Sequence, residues 1–175
     1  MNSPLKSGDE IFDVVDDHDC VLRQETRSTV HAQNLLHRAV HILIFNSSGE
    51  LLLQKRSAFK DLHPHLWVTS CSGHVDAGET YEKAAMREIS EELGLSTLPV
   101  LNPLFKLTPI LETGWEFVWV YHAIHEGPFT APPEEVATLQ FFSPAAINQW
   151  IQTKPEELTP SFLYIWEKYL ALRAF

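Results

Sequence analysis

Cysteine is nearly missing from this chain: Cys20 and Cys71 are the only two in 175 residues. Two isolated thiols without a C-x-x-C spacing make neither a zinc ligand set nor a disulfide framework, and the compartment they suggest is a reducing cytoplasm. Long apolar runs are also missing. No stretch reaches the roughly 20 residues that span a bilayer, so no membrane partner is expected. The opening MNSPLKSGDEIFDVV has no basic region followed by an apolar core and does not read as a signal peptide. Basic residues are scarce, 13 Lys and Arg against 23 Asp and Glu, for a formal net charge of −10. Such a field does not steer a chain to nucleic acid, and contact with a phosphorylated ligand needs a metal to bridge the repulsion. What the chain does have is 45% hydrophobic residues, enough for a sizeable core in one domain over 1–175, with residues 1–9 extended or flexible.

The stretch that organises the rest is GHVDAGETYEKAAMREISEELGL, Gly73 to Leu95. A glycine-bearing turn leads into a helix capped by Thr80, whose hydroxyl takes an orphan N–H. Gly94 ends it, at a position suited to a left-handed residue. On a wheel of about 100° per residue, Ala85, Ile89, Leu93 and Met86 form an apolar stripe from about 0° to about 100°. Glu92, Glu88 and Glu91 lie beside it at about 340°, 300° and 240°. Like charges at this spacing cost a helix roughly a few tenths of a kcal/mol each. Water screens such a ridge on an open surface. In a site, a hard divalent cation resolves it, because Mg²⁺ takes oxygen ligands and is commonly shared with substrate phosphates. Taken alone, the ridge is compatible with both.

Around this helix the patterns are mostly β. Ile11–Val15 and Cys20–Arg23 read as strands across an Asp16–Asp19 turn, which lacks the glycine and distal glutamate of an EF-hand loop. HRAVHILIFN and ELLLQKR form a hairpin over Asn46–Gly49. Lys55 and Arg56 at its end are candidates for a substrate phosphate. Leu66–Ser70 is a strand that delivers the chain to Gly73. Leu98–Ile110 and Trp115–Ile124 are further β segments, the second setting Trp115, Phe117, Trp119 and Tyr121 against Glu116, Val118, Val120 and His122. A Pro-rich loop with Glu134 and Glu135 precedes a short strand, Leu139–Phe142. Ser143-Pro144 starts a helix, and Thr159-Pro160 starts a last one over 160–174, with Phe162, Ile165, Trp166, Tyr169 and Leu170 on one face. The sum is a mixed sheet with one central helix and further helices closing the other side, an α+β or α/β/α arrangement.

Written by spacing, the central stretch is Gly73, five residues, Glu79, seven residues, Arg87-Glu88-Ile89, one residue, Glu91-Glu92, one residue, Gly94-Leu95. This resembles the Nudix box at every fixed position, over a region extending from about Leu36 to Ser143. The resemblance implies a Nudix-type α/β/α sandwich and an Mg²⁺-dependent (or Mn²⁺-dependent) hydrolase of a diphosphate linkage, acting on a small molecule such as a nucleoside diphosphate-X. It implies a metal held by Glu91, Glu92, Glu88 and the Gly73 carbonyl, with Glu88 a ligand or the base. It makes Glu79 and Arg87 an orienting ion pair and offers Glu116, Glu134 or Glu135 as an extra glutamate from outside the box. The family often forms homodimers.

LHRAVHILIFNSSGELLLQKR and LHPHLWVTSCSGHVDAGE are also similar to isopentenyl-diphosphate isomerases, which share this fold and bind a metal through histidines and glutamates. His37, His74 and Glu116 match three of those ligands, and His31 is one residue off a fourth. The second metal glutamate falls at Gly114. The catalytic cysteine position is Ser72, and Cys71 lies one residue too early, on the opposite face of a strand. Isomerase activity is therefore the runner-up to hydrolysis, a non-catalytic binding module the third reading, and His37 and His74 are expected to be satisfied strand and loop histidines.

Overall fold

The computed structural model describes residues 10–95 and 97–173. The segment 1–9, expected to be flexible, lies outside them, as does Ala174 at the expected end of the last helix.

The N-terminal unit is a hairpin, β1 (Ile11–Val15) and β2 (Val21–Thr26), followed by a short helix α1 (Arg27–Ala32). The acidic turn is a turn because Asp16 Oδ1 accepts the N–H groups of His18 and Cys20, both at 2.9 Å. The body is one mixed sheet made of β3 (His37–Phe45), β4 (Leu51–Arg56), β5 (Trp67–Val68), β6 (Cys71–His74), β7 (Asn102–Leu107), β8 (Glu116–Ile124) and β9 (Val136–Phe142). The hairpin expected of β3 and β4 pairs only at its mouth, Phe45 with Leu51. Below that the strands part. β3 runs antiparallel to β6 and parallel to β8, which carries β7. β4 pairs instead with β5 and β9. The sheet thus opens into two leaves with a seam between them. The strand expected over Leu66–Ser70 is split across that seam. β5 lies on one leaf, β6 on the other, and Ser70 ties them, its hydroxyl donating to Leu52 O (2.5 Å) and accepting from Ile44 N–H (2.8 Å).

Alternation along β3 supplies both cores. Val40, Ile42 and Ile44 face the box helix α2 (Tyr81–Leu93), meeting Ala85, Ile89 and Leu93. Ala39, Leu43 and Phe45 face the other way, with Ile147 of α3 (Pro144–Thr153) and Phe162, Ile165 and Trp166 of α4 (Pro160–Arg173). Each fully buried Leu or Ile contributes roughly 1.5–3 kcal/mol. Two helical layers on one sheet make the α/β/α sandwich.

The caps are as expected. Thr80 Oγ1 accepts Lys83 N–H at 3.3 Å, and Ser143 Oγ accepts Ala146 N–H at 3.2 Å. Gly94 is left-handed (φ 61°), and a Cβ there would also stand 2.3 Å from the Thr130 carbonyl oxygen. Three side chains differ from expectation. Met86 is exposed while Ala84 and Glu92 are buried, so α2 sits rotated toward its glutamates. Leu170 is exposed, off the buried face of α4. Trp115 precedes β8 rather than belonging to it, in a left-handed turn (φ 65°) closed by its N–H on Ile110 O. Among the described residues no helix is long and apolar enough to cross a membrane.

Candidate functional site

The rotation of α2 sorts its three glutamates. Glu91 stays in solvent, its side chain 60% exposed. Glu88 is 12% exposed and Glu92 5%, and both turn into the seam. Glu92 Oε2 accepts from Gln54 Nε2 (2.8 Å) and from Ser72 N–H (3.1 Å). The Glu88 carboxyl lies flat on the backbone of Gly73, where a Cβ would come within 2.1 Å of it. Glycine at 73 thus makes room for the Glu88 carboxyl, which a Cβ would displace, and no unusual backbone angle calls for it. Burial, then the charge of Glu92, pushes the Glu88 carboxyl up to about 8, despite Arg87 beside it. Burial raises Glu92 as well.

Arg87 organises the rim. It grips Glu79 with two nitrogens (2.9 and 3.2 Å), touches Glu88 Oε1 at 2.7 Å and Glu91 Oε2 at 3.2 Å, and donates to the His74 carbonyl at 2.9 Å. Glu79 and Arg87 thus form the expected pair. Of the two basic candidates, Arg56 lies on the glutamate side, where Glu92, Asp61 and Glu135 all act on its charge. Lys55 is one residue away and so on the opposite face of β4, toward Glu157. The structure does not bring it to the glutamates. Lys60, paired with Glu135, acts on Glu92 in its place. Glu134 is exposed and offers only its carbonyl, to Ser57.

A second constellation lies on the other face of β6. His37, His74 and His31 converge, one ligand atom from each lying within 4.8 Å of the others. Their ring centroids are 5.1–5.3 Å apart. His37 and His74, expected as satisfied strand and loop histidines, both lie against Glu116. His37 Nδ1 lies 2.9 Å from Leu35 O and so donates there, while Nε2 faces Glu116. That Nε2 is buried without a hydrogen-bond partner, as is Nε2 of His31. Glu116 Oε1 closes the group at 3.0 Å from His74 Nε2 and 3.3 Å from His37 Nε2. Burial would raise the Glu116 carboxyl, but the two imidazoles outweigh it and hold it well below the usual range. Burial, then the neighbouring His74 and His37, lowers His31 to about 4. Phe12 of β1 seals the group, stacked 4.6 Å from His74 and 5.7 Å from His37. Three imidazoles and a carboxylate, two of the nitrogens orphaned, are a donor set suited to a borderline transition metal.

His31 was the weak member by sequence spacing. It reaches the group from the last turn of α1, which a turn through Asn34 (φ 50°) joins to β3. Gly114 also fits: a Cβ there would lie 3.7 Å from Glu116 Oε1, so the position faces the group and offers no ligand. Ser72 lies opposite His41 on this same face. Cys71 points to the α2 core, fully buried, and its thiol is pushed up by burial, then by Glu92 and Glu88. It is a packed thiol. Sequence reading missed Gln54 and Lys60. For Gln54 there was a signal, an amide at an inward position of an otherwise apolar strand.

The description of the NUDIX domain matches residues 35–162, a span that excludes His31 and the N-terminal hairpin. An isopentenyl-diphosphate Delta-isomerase of Serratia proteamaculans is 34% identical over 164 residues, covering 90% of this chain and 89% of that protein. An uncharacterised Nudix hydrolase of Yersinia pestis is 31% identical over 163 residues, covering 88% and 82%. A solved protein of Deinococcus radiodurans superposes with a TM-score of 0.74 at 30% identity, over 83% of this chain and 90% of its own.

Proposed function

Since the chain belongs to the Nudix hydrolase family, we propose that it is a divalent-metal-dependent hydrolase of a diphosphate linkage in a small molecule, a nucleoside diphosphate-X or a relative of it. The observation that carries this reading is the cradle of Glu88, Glu92 and Gly73. Two inward carboxyls, both raised by burial and Glu88 further by the charge of Glu92, fit a hard cation such as Mg²⁺ or Mn²⁺. Glu88, Glu92 and the Gly73 carbonyl would hold it, joined by Glu91 once that side chain leaves Arg87. Bound there, the ion would neutralise phosphate oxygens and acidify a water. The protein's own part is to place the charges. Arg87 fixes Glu88 from outside, and Arg56 and Lys60 supply positive charge at the mouth of the seam. Glu88, turned into the seam beside Glu92, is either a ligand of that ion or the group that takes the proton from its water. A net charge of −10 favours a small ligand over nucleic acid.

The test is phosphate release from a panel of diphosphates with Mg²⁺ or Mn²⁺. Metal-dependent turnover on one member, lost in Glu92→Gln, supports the proposal, and no turnover on any member counts against it. The assembled His31–His37–His74–Glu116 group favours a second reading, isopentenyl-diphosphate isomerisation, the activity named for the Serratia relative. Ser72 without a thiol, and Cys71 turned away from this face, weigh against it. Incubation with isopentenyl diphosphate decides between them, dimethylallyl diphosphate being the product that would reverse the order. A third reading, a binding module, predicts ligand affinity without turnover.

A further inference from the structure

Gln54 has no place in the chemistry above, yet it occupies a costly position. β4 turns Leu52 and Gln54 to the α2 side, and Gln54 is 1% exposed. A primary amide there costs free energy unless it is hydrogen-bonded. Its Nε2 spends a donor on Glu92 Oε2 at 2.8 Å, and Ser72 N–H donates to that same oxygen at 3.1 Å. The two donors come from different leaves of the sheet, Gln54 from β4 and Ser72 from β6. They converge where β3 and β4 part, so Glu92 is gripped from both sides of the seam. These two donors fix Oε2 and with it the direction of the carboxyl.

We infer that Gln54 is a positioning residue, an arm from the second leaf that orients the Glu92 carboxylate toward a divalent cation and thereby sets the affinity for that cation. The inference rests on the proposal that Glu92 is a metal ligand. It differs from a packing role in what it predicts. A packing residue lowers stability with and without metal alike. An orienting residue changes the metal affinity, as partners that hold a ligand from behind do when they are removed.

The experiment is Mn²⁺ titration of the full chain by electron paramagnetic resonance and calorimetry, for wild type, Gln54→Met and Gln54→Glu, with Tm read in EDTA and in saturating Mn²⁺. Methionine keeps the length and removes the donor. Glutamate keeps the polarity and sets an acid against Glu92, which guards against a methionine variant that fails to fold. The expected result is a Kd for Mn²⁺ raised about 10- to 100-fold in each variant, a smaller Mn²⁺-induced rise in Tm, and a fall in kcat that excess metal partly restores. Wild-type Kd in a folded Gln54 variant overturns the inference and leaves the proposed function standing. If the wild-type chain itself binds no Mn²⁺, the proposed function fails first and this inference falls with it.

Discussion

Gly73 and His74 are consecutive residues with opposite surroundings. On the Gly73 side of β6 lie oxygen donors, Glu88 and Glu92, held near a backbone with no Cβ. On the His74 side lie three imidazoles and Glu116 under a phenylalanine lid. Strand alternation puts two unlike donor sets back to back, and Arg87 joins them by donating to the His74 carbonyl while holding Glu88. The electrostatics are also opposite. The oxygen side contains carboxyls raised by burial, and the nitrogen side contains His31, lowered by it. Hardness of the donors separates the ions the two faces would choose.

The strongest way to break this comparison is to remove one donor from each face. Glu92→Gln is expected to lower kcat for diphosphate hydrolysis about 10²- to 10⁴-fold, the scale of a lost acid–base or ligand group, measured by phosphate release at saturating metal. His37→Ala is expected to leave more of that activity and to abolish a Co²⁺ absorption band that Glu92→Gln retains. Loss of the band in Glu92→Gln would show that the two faces form one site.

Acid and base sharpen the contrast by acting in opposite directions. His41, buried beside Thr69 on the histidine face, is lowered by burial to about 4 from 6.5. A depressed histidine contributes stability present above 6.5 and lost as pH falls toward about 4. At about 1.4 kcal/mol per pH unit over that window, this is at most about 3–4 kcal/mol. Glu88 is raised, so its contribution is present below 4.5 and lost as pH rises through about 8. Denaturation of the metal-free protein should therefore show stability falling on both sides of a mildly acidic maximum. His41→Asn should flatten the acid limb, and Glu88→Gln the alkaline one. Gly94→Ala strains a left-handed residue and drives a Cβ into the Thr130 carbonyl oxygen, and should cost more than the about 1–2 kcal/mol of the backbone angle alone. It loosens the end of α2 that carries Glu91 and Glu92 while leaving Co²⁺ binding at the histidines unchanged.

The acidic ridge was legible because a helix writes its neighbours at short spacing. The caps at Thr80 and Gly94 and the buried Ala85, Ile89 and Leu93 could be read locally, and so could the pairing of Glu79 with Arg87. Which glutamate turns inward could not be read, because that depends on how α2 seats on the seam, and so Met86 and Glu91 lie on the solvent side. Lys55 and Arg56 looked equivalent side by side, until strand alternation sent them to opposite faces. Gln54 and Lys60 carry no motif and gain their relation to Glu92 only through strand divergence and a loop.

The amino-acid order alone determined the box, its helix and the layered fold, since hydrophobic periodicity and capping act within a few residues of one another. The resemblance to the isomerases grouped His37, His74 and Glu116, but only the tertiary structure decided that they and His31 share one space. They come from a helix and three strands, and no local rule measures the distance between elements that meet only when the core closes.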